Sequence, residues 1–313
     1  MNHTHGAAQP IGKKTKKWTR WIPLYLMMLP GLAYLFINNY IPMAGLLTAF
    51  KNVNFADGIW ASPWATPLWK NFEYLFVTKD VWVITRNTIL YNLAFITVNT
   101  AMAIFIAILI CDIASKQLKR LYQSAILLPF LMSYVIVSYI VFALLSNENG
   151  LLNKTLLQAL GMEPINWYAS PQYWPVILVL VNFWKGIGYS CLIYIASING
   201  IDPALYEAAE LDGASRWQRI WNVTLPGIKS SVITLTLLNV GRIFYSDFSL
   251  FYQVPQNSGL IFSTTNTLDT YVYRALLTSG NIPMASAAGF YQSVIGFIVV
   301  LAVNLLVKHI SKE

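Results

Sequence analysis

Three ionisable residues lie inside runs that are otherwise apolar: Lys185 within Tyr173–Ile198, and Arg242 and Asp247 within Ser230–Gln253. A charge at membrane depth is costly, so such a residue faces a partner, a cavity or water. One reading is structural, with a Lys185–Asp247 or Arg242–Asp247 pair, or side chains that reach out to the headgroups. If Ser230–Gln253 is one continuous helix, Arg242 and Asp247 point about 140° apart, which disfavours a pair between them. The other reading is contact with a polar solute. Phe244, Tyr245, Phe248, Phe251 and Tyr252 recur at the spacing of one helical face. Such a stripe is more often packing, but flat rings and Tyr hydroxyls also suit a sugar.

Residues for bond-breaking chemistry are missing. The segment "KGIGYS" at Lys185–Ser190 lacks the spacing of a phosphate-binding loop. The three histidines, His3, His5 and His309, lie near the ends of the chain, which argues against a catalytic triad or an internal zinc site. His3 and His5 are expected in a disordered tail. No site with paired carboxylates can be argued. The expectation is a chain that is not itself an enzyme and holds no metal or cofactor. Cys111 and Cys191 both fall in apolar runs and read as small packing residues.

The elements that must position these residues are membrane helices. The 313 residues are 56% hydrophobic and 11% charged, against about 25% charged in a soluble domain. Six runs are long enough to cross a bilayer: about Trp21–Ile41, Asn87–Cys111, Leu121–Leu145, Tyr173–Ile198, Ser230–Gln253 and Ala288–Val307. They are too long and uniform for barrel strands, so the fold class is all-α and polytopic. The net charge of +8 does not indicate nucleic acid, because the basic residues flank the spans as orientation signals do. Lys13, Lys14, Lys16, Lys17 and Arg20 precede the first span, Lys116, Lys119 and Arg120 follow the second, and Arg216, Arg219 and Lys229 precede the fifth. This bias places both termini in the cytoplasm. The first span runs past signal-peptide length with no cleavage site and is expected to be retained. Trp60, Trp64, Trp69 and Trp82 mark a tryptophan-rich outer loop suited to the headgroup region. The expected division is a basic tail (1–20), the first span with that loop (21–80), a core (81–309) and a short C-terminal tail (310–313).

Between the fourth and fifth spans lies a polar insert, 202–226. Asp202-Pro203 reads as a capped helix start, and Gly213 as the left-handed residue that ends the helix. "ASRWQRIW" can form a second short helix before Pro226 marks the return to the membrane. On its own terms this could be no more than a solvated, charged loop.

The insert resembles the EAA loop of binding-protein-dependent ABC importer permeases. Glu207-Ala208-Ala209 is followed after three residues by Gly213, after nine more by Val223, and then by Leu225-Pro226. Every spacing of the family pattern matches, with valine in place of isoleucine. "NFEYLF" (Asn71–Phe76), "RNTILYN" (Arg86–Asn92) and the stretch Asp269–Phe297 are also similar to the family, the last to its oligosaccharide- and polysaccharide-importing members. The resemblance implies an ABC type-1 permease core in a bacterial cytoplasmic membrane, and a coupling loop formed by Glu207, Ala208, Ala209, Asp212, Gly213, Arg216, Leu225 and Pro226. It implies a second homologous permease, two ATPase subunits that hold ATP and Mg, and an extracytoplasmic solute-binding protein. The solute path would then be lined by Lys185, Tyr189, Asn239, Arg242, Tyr245, Asp247, Phe248, Tyr252 and Gln292. Asn182 would add a polar contact or an interhelical hydrogen bond. Two basic groups favour an acidic glycan. Lipid is an expected partner and nucleic acid is not. An ion-coupled secondary sugar transporter is the alternative, but the broken-helix repeats that would mark one are not visible. A membrane scaffold that recruits a cytosolic protein is a third reading.

Overall fold

Backbone polar groups in hydrocarbon must find partners within the protein, which selects helices. A computed structural model of the chain describes residues 21–54, 56–77 and 80–310. Among these, β-type pairing is limited to a single bridge between Lys51 and Trp64. Five helical stretches are long and apolar enough to cross a membrane: Ile22–Phe50, Asp80–Cys111, Pro171–Asn199, Arg216–Val240 and Ile282–Leu305. A sixth is broken, with Lys116–Leu131 and Tyr134–Leu145 meeting at 94°.

The described residues fall into two compact units, divided between Leu47 and Thr48. In the first, the helix Ile22–Leu35 carries Pro30 in its interior and continues into a π-helical stretch, Phe36–Tyr40. The basic tail, the C-terminal residues 311–313, His3, His5 and Lys79 lie outside the described residues.

Packing in the second unit is divided among three apolar clusters. One joins Tyr91, Phe95, Val137, Val141, Trp174, Leu178 and Phe251. Another joins Ala49, Phe72, Leu75, Ile84, Phe244, Leu268 and Ala288. The segment after Thr48, grouped with the first span on sequence grounds, therefore packs on the helices that come after it. The third cluster joins Ala103, Ala107, Ile187, Cys191, Tyr194 and Ile228. Here Ala103 and Ala107, one turn apart and fully buried, let Asp80–Cys111 approach Trp174–Asn199 closely, as small residues do between membrane helices.

Two expected spans are corrected. Leu121–Leu145 is not one helix: Met132 and Ser133 are extended, Pro129 removes a donor from the last turn before them, and the Ser133 hydroxyl caps the next helix at Ile136 N–H. Ser230–Gln253 also stops short, at Val240, and regular helix resumes only at Phe248. Gly241 and a series of tight turns fill the gap. Phe244, Tyr245, Phe248, Phe251 and Tyr252 therefore do not form one stripe. Phe251 packs against Tyr91 and Phe95, while Phe248 and Tyr252 stack on each other and meet Tyr273 at tilted and edge-on angles.

The Lys116–Leu131 helix crosses Trp174–Asn199 at Gly188, where a Cβ would stand 2.2 Å from the Ile126 carbonyl oxygen. Gly188→Ala is therefore expected to destabilise the protein by about 1–3 kcal/mol through overpacking. Gly289→Ala, with nothing near the added carbon, should be neutral or stabilising. Thermal melts of the two variants in detergent check this, and equal melting temperatures would contradict it.

Candidate functional site

The two interrupted spans face each other, and the space between them is a cavity of about 540 Å³. Its wall includes Asn92, Asn99, Tyr134, Asn182, Lys185, Tyr189, Asn239, Arg242, Tyr245 and Asp247. Each break exposes backbone groups that a continuous helix would satisfy, and specific side chains meet them. At the first break, the Lys185 ammonium donates to the Phe130 carbonyl at 2.9 Å and lies over the Phe130 and Tyr134 rings. A cation at the carbonyl end of a helix is favoured by the helix dipole. At the second break, Asn92 Nδ2 donates to the Ile243 and Tyr245 carbonyls, and Gln292 Nε2 donates to the Phe244 carbonyl at 2.8 Å. The Ser246 N–H and hydroxyl both donate to Asp269, at 2.6 Å each. Asp247 caps Phe248–Gln253 by accepting from Leu250 N–H. Of the two readings of these charges, the one that paired Lys185 or Arg242 with Asp247 is not met: neither ion pair forms among the described residues.

These contacts sort the residues singled out from sequence. Lys185, Tyr189, Asn239, Arg242, Tyr245 and Asp247 all reach the cavity wall. Lys185 is only 8% exposed and is engaged by the Phe130 carbonyl. Gln292 does not line the cavity: it is buried and holds the second break together. Phe248 and Tyr252 also lie elsewhere, in their own aromatic group. The side chains of Tyr189, Asn239, Arg242 and Tyr245 make no hydrogen bond or ion pair to another described residue. Sequence reasoning missed Asn92, Asn99 and Tyr134. Asn99 donates to Asn182 Oδ1 at 2.8 Å, so Asn182 is an interhelical contact as well as a wall residue. The signal for Asn92 and Asn99 was present, since asparagine recurs at one-turn multiples along an apolar helix.

The segment that carries the second break continues over the same face of Asp80–Cys111. Asn87 Nδ2 donates to the Ser263 and Asn266 carbonyls, Tyr91 donates to the Thr264 carbonyl, and Thr88 Oγ1 accepts from Leu268 N–H. The stretch Arg86–Asn92 thus supplies hydrogen bonds to the end of the short helix Phe262–Thr265, to the start of Leu268–Leu277 and to the turn between them. Nearby, Arg274 lies outside the candidate spans, over the Phe262 ring, and bonds to Asn257, Asn266 and Thr270. Burial pulls its pKa down to about 10, which leaves it charged at neutral pH.

The polar insert is built as its residues suggest. Asp202 accepts from Ala204 N–H and caps the helix Pro203–Leu211, the arm helix. That helix closes with the Ala214 N–H on the Ala209 carbonyl and the Gly213 N–H on the Glu210 carbonyl, with Gly213 at φ +74°. This pairing needs a left-handed residue at position 213. Ser215 and Gln218 form a reciprocal cap on Arg216–Arg219. From there the chain does not break at Pro226. It passes through a π-helical stretch, Ile220–Thr224, directly into Leu225–Val240, because the wider turn makes room for a residue without an N–H. The two limbs are tied by Tyr206 to Thr224 at 3.0 Å and by Arg219 to Glu210. Leu205, Ala208 and Leu211 lie on one exposed face of the arm helix, with Leu211 90% exposed. Glu207 lines a hollow of about 450 Å³ beneath the arm, with Asp112, Arg216 and Arg219.

A bundle of membrane helices around a polar cavity formed at helix breaks, with a rigid polar arm between its fourth and fifth spans, defines a transporter. Residues 84–312 match the family described as binding-protein-dependent transport system inner membrane component, and the chain belongs to that family. It is therefore a multi-pass inner-membrane permease component of an ABC importer. It is 33% identical over 295 residues to the polygalacturonan/rhamnogalacturonan transport system permease protein YteP of Bacillus subtilis (strain 168), covering 93% of this chain and 89% of that one. Its fold is similar to a chain in the crystal structure of a bacterial ABC transporter involved in the import of the acidic polysaccharide alginate (TM-score 0.83, 30% identity, covering 93% of this chain and 97% of that chain). A second such structure, of a bacterial alginate ABC transporter in complex with an alginate pentasaccharide-bound periplasmic protein, matches at TM-score 0.82 and 30% identity, covering 94% and 96%.

Lys185→Ala leaves the Phe130 carbonyl unanswered. The expected cost is about 1–3 kcal/mol of stability, typical of a buried hydrogen-bonding group that loses its partner. Thermal melts should show the loss, and transport of acidic and neutral solutes should fall together. Loss confined to acidic solutes would instead make Lys185 a solute ligand.

Proposed function

We propose that this chain moves an acidic oligosaccharide or polysaccharide fragment into the cytoplasm by alternating access, taking it from an extracytoplasmic solute-binding protein. The observation that carries the substrate class is Arg242. Its guanidinium lines the cavity without a carboxylate or carbonyl partner among the described residues, beside Tyr189, Asn239 and Tyr245. A cation left open in this way suits a uronate carboxylate, and the Tyr and Asn groups suit sugar hydroxyls. The names of YteP and of the alginate transporter, both concerned with acidic polysaccharides, support the same class.

In this reading the arm lies on the cytoplasmic face, with both termini. The exposed Leu205, Ala208 and Leu211 face seats in a groove of an ATP-hydrolysing subunit. The residues Glu207, Ala208, Ala209, Asp212, Gly213, Arg216, Leu225 and Pro226 set its shape. ATP and Mg are held by two such subunits and not by this chain. A second, similar permease completes the path, because one chain carries one arm and two motors need two.

Two tests separate the parts of this proposal. Gly213→Val places a β-branched residue at φ +74°, a conformation it strongly disfavours. Purification in mild detergent should then lose the ATPase subunit that the wild type retains, and retention by both would reject the arm as the docking element. Arg242→Ala should lower uptake of an acidic glycan about tenfold, as expected for a lost hydrogen bond to a charged group. Uptake of a neutral glycan of equal length should hold, and an equal fall for both would reject charge recognition.

A further inference from the structure

One ion pair joins the arm to the long helix Asp80–Cys111, and both of its charges stand at the unfavourable end of their own helix. Asp112 directly follows Cys111, and its N–H closes the last turn on the Ile108 carbonyl. That helix end carries partial negative charge, which disfavours a carboxylate. Arg216 is the first helical residue after the Ser215 cap, where exposed N–H groups disfavour a cation. Local electrostatics would place these charges the other way round. What favours each is the other: Arg216 Nε donates to Asp112 Oδ2 at 2.8 Å, and Nη2 donates to the same oxygen. The side chains are 59% and 41% exposed, and an exposed pair contributes little to stability. The pair is therefore poorly explained as a stabilising device.

Its position explains it better. The other polar ties of the arm, Tyr206 to Thr224 and Arg219 to Glu210, stay within the insert. Among the described residues, Asp112–Arg216 is the polar tie from the insert to Asp80–Cys111. Further along the same helix, Asn92 holds the Ile243 and Tyr245 carbonyls at the edge of the cavity. A rigid helix thus runs from the strut at Asp112 to the backbone that shapes the solute site.

We propose that Asp112 and Arg216 are positioning residues, a strut that carries displacement of the arm into the long helix and so into the cavity wall. The proposal rests on the coupling role given to the arm above. The test uses the complete transporter in proteoliposomes, with its ATPase subunits, second permease and binding protein. The readout is ATP hydrolysed per glycan taken up. Asp112→Ala and Asp112→Asn should keep the ATPase subunits and their hydrolysis while the ratio rises about fivefold or more, the lower range of coupling between sites. The double variant Asp112→Arg, Arg216→Asp remakes the pair with each charge at its favourable helix end. It should bring the ratio back toward wild type, with a melting temperature no lower than that of either single variant. An unchanged ratio in the single variants overturns the strut. So does a raised ratio that the double variant fails to reverse, and so does loss of the ATPase subunits from the single variants, which would make the two charges part of the docking surface. Failure of the wild type to retain ATPase subunits would remove the coupling reading itself, and the strut with it.

Discussion

A backbone carbonyl inside a membrane span that has lost its helical partner must be met by another donor, because the surrounding hydrocarbon offers none. This chain leaves such groups open at two places, around Phe130 and along Ile243–Tyr245, and much of its membrane-embedded polar chemistry answers them. Lys185 meets the first, and Asn92 and Gln292 meet the second, while Asp269 accepts from the Ser246 N–H beside it. The breaks make the cavity, since a continuous helix at either place would fill it with its own turns. The side chains that satisfy the breaks therefore hold the site open.

Hydrogen-bond partners separate structural from functional polarity better than position in a span does. Lys185, Asp247 and Gln292 look alike in sequence, as rare polar residues in apolar runs. Each proves to be committed to the backbone. Arg242 is equally rare and is not committed. The difference between a residue that holds the protein together and one available to a solute lies in its partners, and those partners come from elements far apart in the chain.

The arm obeys a different logic. It is short, so its stiffness comes from local closure: the Asp202 cap, the double carbonyl closure around Gly213, the reciprocal Ser215–Gln218 cap and the tie from Tyr206 to Thr224. The π-helical passage through Ile220–Thr224 makes its second limb continuous with Leu225–Val240. Movement of the arm is thus movement of a membrane helix, with no flexible joint at Pro226 to absorb it.

The sequence by itself determined the class of fold and the arm. These depend on composition, run length and near-neighbour spacing: apolar runs must be helices in a bilayer, Asp202 caps the helix that Pro203 begins, and Gly213 can take the left-handed turn. The family pattern from Glu207 to Pro226 is legible for the same reason, being set by contacts within one short stretch. Six of the nine cavity residues proposed from sequence do reach its wall, because rare polar groups in spans seek one another or water. Only the tertiary structure decided where the third and fifth spans break. The break at Met132–Ser133 is capped by Lys185, more than fifty residues on, and the backbone of the gap after Val240 is bonded by Asn92 and Gln292. Hydropathy cannot register such partners, since an extended apolar residue and a helical one read the same. The Asp112–Arg216 pair belongs to this second kind, as no local rule would place either charge at its own helix end.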